Sequence, residues 1–296
     1  MSLARPLLNL FLRAFEKPFL AKAPGPEEVR EGFERKARVL FAPRGRVLVT
    51  ECALGGVPAL EVELAKGPSD RAAVLYLHGG GYVFGSARTH SGLGAALALR
   101  TGLPVYLPEY RLAPEHPYPA ARDDARAAYD ALRAEGREGF LGGDSAGGGL
   151  ALALFGQLAR ERVPGPKLTF AFSPLTDFSF TNPSLRQNAD ADVLLPVSRA
   201  EETGEMYLAG RDPRDAGASP YFGSYPGAGE VMLFVSRTEI LLDDTLKMAA
   251  RLKALGVAVS CEIAADLPHA WPYFVRFLPE ARASLARIVA RITPAP

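Results

Sequence analysis

From residue 46 onward, short apolar runs alternate with stretches of helical periodicity, and this alternation most narrows what the chain can become. The runs are 46–54, 57–64, 72–78, 103–110, 139–145, 167–173, 230–236 and 257–265. Gly55-Gly56, between the first two, reads as a hairpin turn. The later runs are apolar throughout rather than at every second residue, as strands covered on both faces are. Between runs, Ala146 to Arg160 reads as a helix. Leu242, Leu246, Ala249, Leu252 and Leu255 form a helical stripe. Ala281, Leu285, Ile288, Val289 and Ile292 form another, with Arg282, Arg287 and Arg291 off it. Such alternation implies a mostly parallel sheet with right-handed crossovers. The expected fold is α/β, a doubly wound eight-stranded sheet that starts with an antiparallel hairpin. A length of 296 residues suits one such domain, 1–296.

Two stretches break the alternation: residues 1–45, and residues 178–229, rich in Pro, Gly, Asp and Ser, with a helix expected near 198–209. Insertions into a doubly wound fold lie at the strand ends where ligands bind. In the first stretch Leu7, Phe11 and Phe15 recur at helical spacing. They predict an amphipathic helix that packs this face on the protein, contact with a membrane surface being the alternative. Pro6 and Arg13 bracket only six residues (Leu7 to Leu12), and no small-x-small site follows closely, so a signal peptide is not expected. No apolar stretch is long enough to span a bilayer.

Hydrophobic residues make up 48% and charged residues 23%, which argues against long disorder. With 34 basic and 33 acidic residues, no net field exists to attract nucleic acid or an acidic membrane. Cys52 and Cys261 lack CxxC spacing and a His cluster; they read as two buried thiols in a reducing, cytoplasmic compartment, without disulfide, metal or cofactor.

Gly143-Asp144-Ser145-Ala146-Gly147 matches G-x-S-x-G. Composition alone yields about 0.13 such matches per chain, so the motif needs its context. A strand runs into it and a helix runs out. A serine on that sharp turn stands exposed above the sheet edge, and small neighbours let the turn close. His78-Gly79-Gly80-Gly81 follows another strand, and its chance frequency is only about 0.004. Its glycines free backbone N–H groups where negative charge develops on an acyl oxygen; the N–H of Ala146 is a further donor.

A serine hydroxyl needs an adjacent base. Of the four histidines, His78 belongs to the glycine loop, His90 to a helical pattern and His116 to a Pro-rich run. His269 lies in the loop after the last strand, which emerges beside the nucleophile in a doubly wound sheet. The third member of a Ser, acid, His series should follow the strand 230–236. Glu239, Asp243 and Asp244 qualify, the two aspartates equally well as solvated residues at a helix start.

These motifs together resemble the hormone-sensitive-lipase family of α/β-hydrolases, over about residues 70–290. The matching blocks are VLYLHGGGYVFGS (74–86), YRLAPEHPYPAARDD (110–124) and GDSAGG (143–148), with SPLTDF (173–178) weaker. The resemblance implies carboxylesterase action on uncharged acyl esters of short to medium chain, without cofactor. It implies a cap built from about 1–45 and about 178–229. In that family the acid stands thirty residues before the histidine, typically as Asp in D-P-L-x-D-E; here the position holds Glu239, in TEILLDD, leaving Asp244 and Asp243 as runners-up. A deacetylase or amidase on small acetylated molecules uses the same constellation. A non-catalytic receptor of this fold, such as the plant gibberellin receptor, lacks the histidine that stands here as His269. A small-molecule ester is the expected partner, and a homodimer is left open.

Overall fold

The computed structural model describes residues 2–66, 72–137 and 139–293. Its strands are β1 (Val47–Leu54), β2 (Val57–Leu64), β3 (Val74–Leu77), β4 (Val105–Pro108), β5 (Phe140–Asp144), β6 (Leu168–Phe172), β7 (Glu230–Ser236) and β8 (Val259–Ala264). Each lies inside one of the eight apolar runs. They form one sheet in the order β1-β2-β4-β3-β5-β6-β7-β8. β1 pairs antiparallel with β2, and β2 with β4; every pair from β4 to β8 is parallel.

The central strands are apolar throughout because successive residues enter two different cores. In β3, Val74 and Tyr76 point to one core while Leu75 and Leu77 point to the other. In β7, Met232 and Phe234 take the first side, Val231 and Leu233 the second. The first core is closed by α4 (Ala87–Thr101) and α10 (Pro279–Ile292), the second by α5 (Ala120–Ala134), α6 (Ser145–Arg160) and α9 (Leu242–Ala254). Of the expected α10 stripe, Ala281, Leu285, Ile288 and Ile292 are buried and Val289 is half-buried, while the arginines lie outside.

Four expectations need correction. β8 is half-exposed, because it is the sheet edge and lacks a neighbour on one side. On α9 the buried face is Asp244, Thr245, Met248, Ala249 and Leu252, while Leu255 is exposed; polar partners draw the first turn inward. Cys52 and Cys261 are free but only half-buried.

The fourth concerns the N-terminus. α1 (Ala4–Phe11) runs through a π-helical turn (Leu12–Glu16) into α2 (Lys17–Lys22). Leu12 is buried and Ala4 and Leu8 pack beside it, whereas Leu7, Phe11 and Phe15 are exposed. The π turn inserts one residue into the helical repeat and so rotates α2 relative to α1. Phe19, four residues beyond Phe15, thereby turns inward against Gly32 of α3 (Pro26–Leu40). The insertion between β6 and β7 carries α7 (Ser184–Gln187) and α8 (Val197–Leu208), the latter within a residue of expectation. No helix among the described residues is long and apolar enough to cross a membrane.

Leu285 on α10 is fully buried against the sheet. Leu285→Ala should therefore cost about 2–5 kcal/mol of stability, read from chemical denaturation, while an exposed change such as Arg287→Ala stays within about 0.5 kcal/mol.

Candidate active site

Asp144 ends β5 in extended conformation, and α6 begins at the next residue, Ser145, which holds φ at +52°. A non-glycine residue there is strained by about 1–3 kcal/mol and persists only when its surroundings fix it. Glycines on both sides do so by allowing backbone contact. A Cβ on Gly147 would stand 2.1 Å from the carbonyl oxygen of Leu77, and one on Gly143 would stand 2.3 Å from that of Gly147. The first turn of α6 is thus pressed onto the end of β3, where the glycine loop starts. The loop and the elbow meet because β3 pairs with β5, Leu77 opposite Gly143.

The loop is held from three sides. The buried Asp144 carboxylate accepts the Gly79 N–H at 3.1 Å and the Tyr76 hydroxyl at 2.8 Å, and lies 3.3 Å from Nε2 of His90. Burial disfavours its charge, but His90 and these hydrogen bonds prevail and hold it below the ordinary carboxylate range. The His78 ring stacks on Tyr110 at 4.1 Å, and Tyr110 donates to the His78 carbonyl oxygen at 2.7 Å. Behind them Arg111 forks onto Asp124, so the block 110–124 buttresses the loop. Gly80 and Gly81 hold φ at +123° and +61°, which suits glycine. The Gly79 N–H, expected to be a free donor, is occupied by Asp144. Those of Gly80 and Gly81 have no partner among the described residues, and that of Ala146, in the first turn of α6, has no intrahelical acceptor.

Across the cavity, Glu239 stands in the turn after β7. Its Oε2 accepts the His269 Nδ1–H at 2.6 Å. Its Oε1 accepts the Ser236 N–H at 2.6 Å and the Ser173 hydroxyl at 2.9 Å. Ser173 in turn accepts the Ala270 N–H at 3.0 Å, tying the histidine loop to the acid. Nε2 of His269 is buried without a partner among the described residues. Burial works against the imidazolium, but the Glu239 hydrogen bond and the charges of Glu239, Asp192 and Asp144 outweigh it and raise His269 above its ordinary 6.5.

The other candidates lie elsewhere. Asp244, far from solvated, accepts the N–H groups of Thr176 and Asp177 and the amide of Asn182. Asp243 accepts the Ser184 N–H at 2.8 Å. Both pin the insertion to α9. Burial and the charge of His90 push His78 down to about 3, so it stays neutral; His116 is exposed. No group of acids, histidines and cysteines among the described residues could hold a metal.

Three residues escaped the sequence reading. Ser173 bridges acid and histidine loop. Asp192, in the insertion, caps the N–H of Ile240 beside the acid at 3.0 Å, and Asn188 donates to the Glu239 carbonyl oxygen at 2.7 Å. Only the SPLTDF resemblance drew notice to the first; nothing local marks the other two.

Ser145, His269 and the glycine loop line one cavity of about 360 Å³. Leu8, Phe11 and Phe19 wall it from the N-terminus, Phe33 from α3, and Leu195 and Met206 from the insertion.

A family model for the α/β-hydrolase fold matches residues 74–273. An esterase of Acinetobacter venetianus is 32% identical over 267 residues, 89% of this chain and 87% of that one. An ethyl acetate hydrolase of Pseudomonas putida is 34% identical over 245 residues, 78% of this chain and 77% of its own. The crystal structure of an esterase from the bacterial hormone-sensitive-lipase family superposes with a TM-score of 0.91 at 33% identity, covering 99% of this chain and 98% of that one. The chain belongs to the α/β-hydrolase family. Within it, it is a carboxylesterase of the hormone-sensitive-lipase branch.

Glu239→Gln should lower kcat by up to about 10⁴, since an amide cannot hold the productive imidazole tautomer. Asp244→Asn should act on stability far more than on kcat. If Asp244→Asn gives the larger loss in kcat, the carboxylate at His269 is not the acid that matters.

Proposed function

We propose that this carboxylesterase hydrolyses uncharged short- to medium-chain acyl esters through an acyl-enzyme on Ser145. The observation that carries the reading is the His269 imidazole. One nitrogen is fixed by Glu239, and the other is buried, without a partner among the described residues, at a cavity that Ser145 shares.

Ser145 Oγ attacks the ester carbonyl carbon as His269 Nε2 takes its proton. Glu239 keeps the Nδ1–H tautomer and stabilises the imidazolium. The N–H groups of Gly80, Gly81 and Ala146 receive the oxyanion, and Gly79, engaged by Asp144, holds the loop in place. The C–O bond to the alcohol breaks, and His269 returns its proton to the leaving alkoxide. Water then attacks the acyl carbon with His269 again as base; the carboxylic acid leaves and Ser145 regains its proton.

Residues 1–45 and 178–229 act as a cap on a single domain. In support, both supply cavity wall, and Thr203 of α8 lies directly over Gly81. The apolar wall favours uncharged acyl chains and excludes water. The name ethyl acetate hydrolase, borne by a relative, agrees with small acyl groups. Two free cysteines fit a reducing, cytoplasmic setting.

A fluorophosphonate should label the native chain once and leave Ser145→Ala unlabelled. That variant should retain only the roughly 10³–10⁴ advantage over water that binding and the oxyanion donors supply. Labelling or normal p-nitrophenyl butyrate turnover by Ser145→Ala overturns the nucleophile. His269 must be neutral to act, so kcat/KM should rise with pH through a value above 6.5. Glu239→Gln removes the main opposing influence to burial, and that limb should shift to lower pH.

A further inference from the structure

Leu3, Leu7, Leu10 and Phe15 are between 64% and 86% exposed, and Phe11 is 44% exposed. In the helical repeat Leu3, Leu7 and Leu10 lie on one face. The π turn then carries the same face five residues on to Phe15, whose ring lies 5.3 Å from that of Phe11. The opposite face, Ala4, Leu8 and Leu12, packs on the protein. The helix is therefore apolar on two sides, and packing accounts for only one.

Residues 2–22 carry Arg5, Arg13, Lys17 and Lys22 against the single acid Glu16. Glu16 is paired with Lys36 at 2.6 Å, and the neighbouring Asp266 with Arg5 at 3.0 Å. Lys17 donates to the carbonyl oxygens of Ala189 and Asp192. Arg13 and Lys22 are the exposed charged residues of the segment; Arg13 donates to the carbonyl oxygens of Asp190 and Ala191, and Lys22 has no partner among the described residues. Phe11 belongs both to this face and to the cavity wall. A second copy seated there would cover that wall, whereas a lipid layer would extend the apolar cavity into an apolar phase. We propose that this face of the N-terminal helix docks the enzyme on an anionic lipid surface, the leucines and phenylalanines entering the acyl boundary and the exposed Arg13 and Lys22 meeting the headgroups.

Docking goes beyond the hydrolytic reading and is measured without turnover, so either can fail alone. Full-length protein bearing Ser145→Ala is sedimented with vesicles of phosphatidylcholine, with and without phosphatidylglycerol. Binding should require phosphatidylglycerol and fall with salt. Leu7→Ser, Leu10→Ser and Phe15→Ser together should weaken it at least about tenfold. None of the three lines the cavity, so in the Ser145 background they should leave circular dichroism and p-nitrophenyl butyrate turnover unchanged. Lys22→Glu, which leaves the apolar face intact, should weaken binding to the anionic vesicles. The proposal is overturned by absence of binding, by equal binding to neutral vesicles, or by full binding of the folded triple variant. It is equally overturned if light scattering shows a dimer that the triple variant dissolves while no vesicle binds.

Discussion

The contact between the first turn of α6 and the end of β3 is the constraint on which the site depends. Ser145 sits at a positive φ that its own side chain disfavours. It stays there because Gly147 lies against the carbonyls of Leu77 and His78 and Gly143 lies against Gly147. The same approach brings the Asp144 carboxylate to the N–H of Gly79. Elbow and glycine loop are thus one packed object, aligned by the parallel pairing of β3 and β5, and neither can shift without the other.

The legible parts of the chain are those shaped by such close packing. The central strands announce themselves because both of their faces are buried, which leaves no polar positions to blur the pattern. The two glycine motifs are legible because close backbone approach admits no Cβ. Glu239 is one of three acids by position, and only the family resemblance, with its thirty-residue register to His269, singles it out. Its longer side chain still meets the imidazole at 2.6 Å.

The unread parts are those in which distant segments meet or the helical period changes. Asp192 and Asn188 reach the acid's turn from 48 and 51 residues away, and no local spacing encodes that. At the N-terminus, reading by a fixed 3.6-residue period assigned Leu7, Phe11 and Phe15 to the packed side. One extra residue in the turn at Leu12–Glu16 lets Phe19 face inward while Phe15 stays out.

The hydrogen bonds from Asn188 and to Asp192 have an implication for altering this enzyme. The segment that walls the cavity also grips both ends of the peptide that joins Glu239 to Ile240. A chimera that imports another esterase's insertion to change substrate range would import, or lose, the clamp on its own acid. Such a graft preserves rate only if its donor supplies an amide and a carboxylate at those two points, whatever shape it gives the pocket.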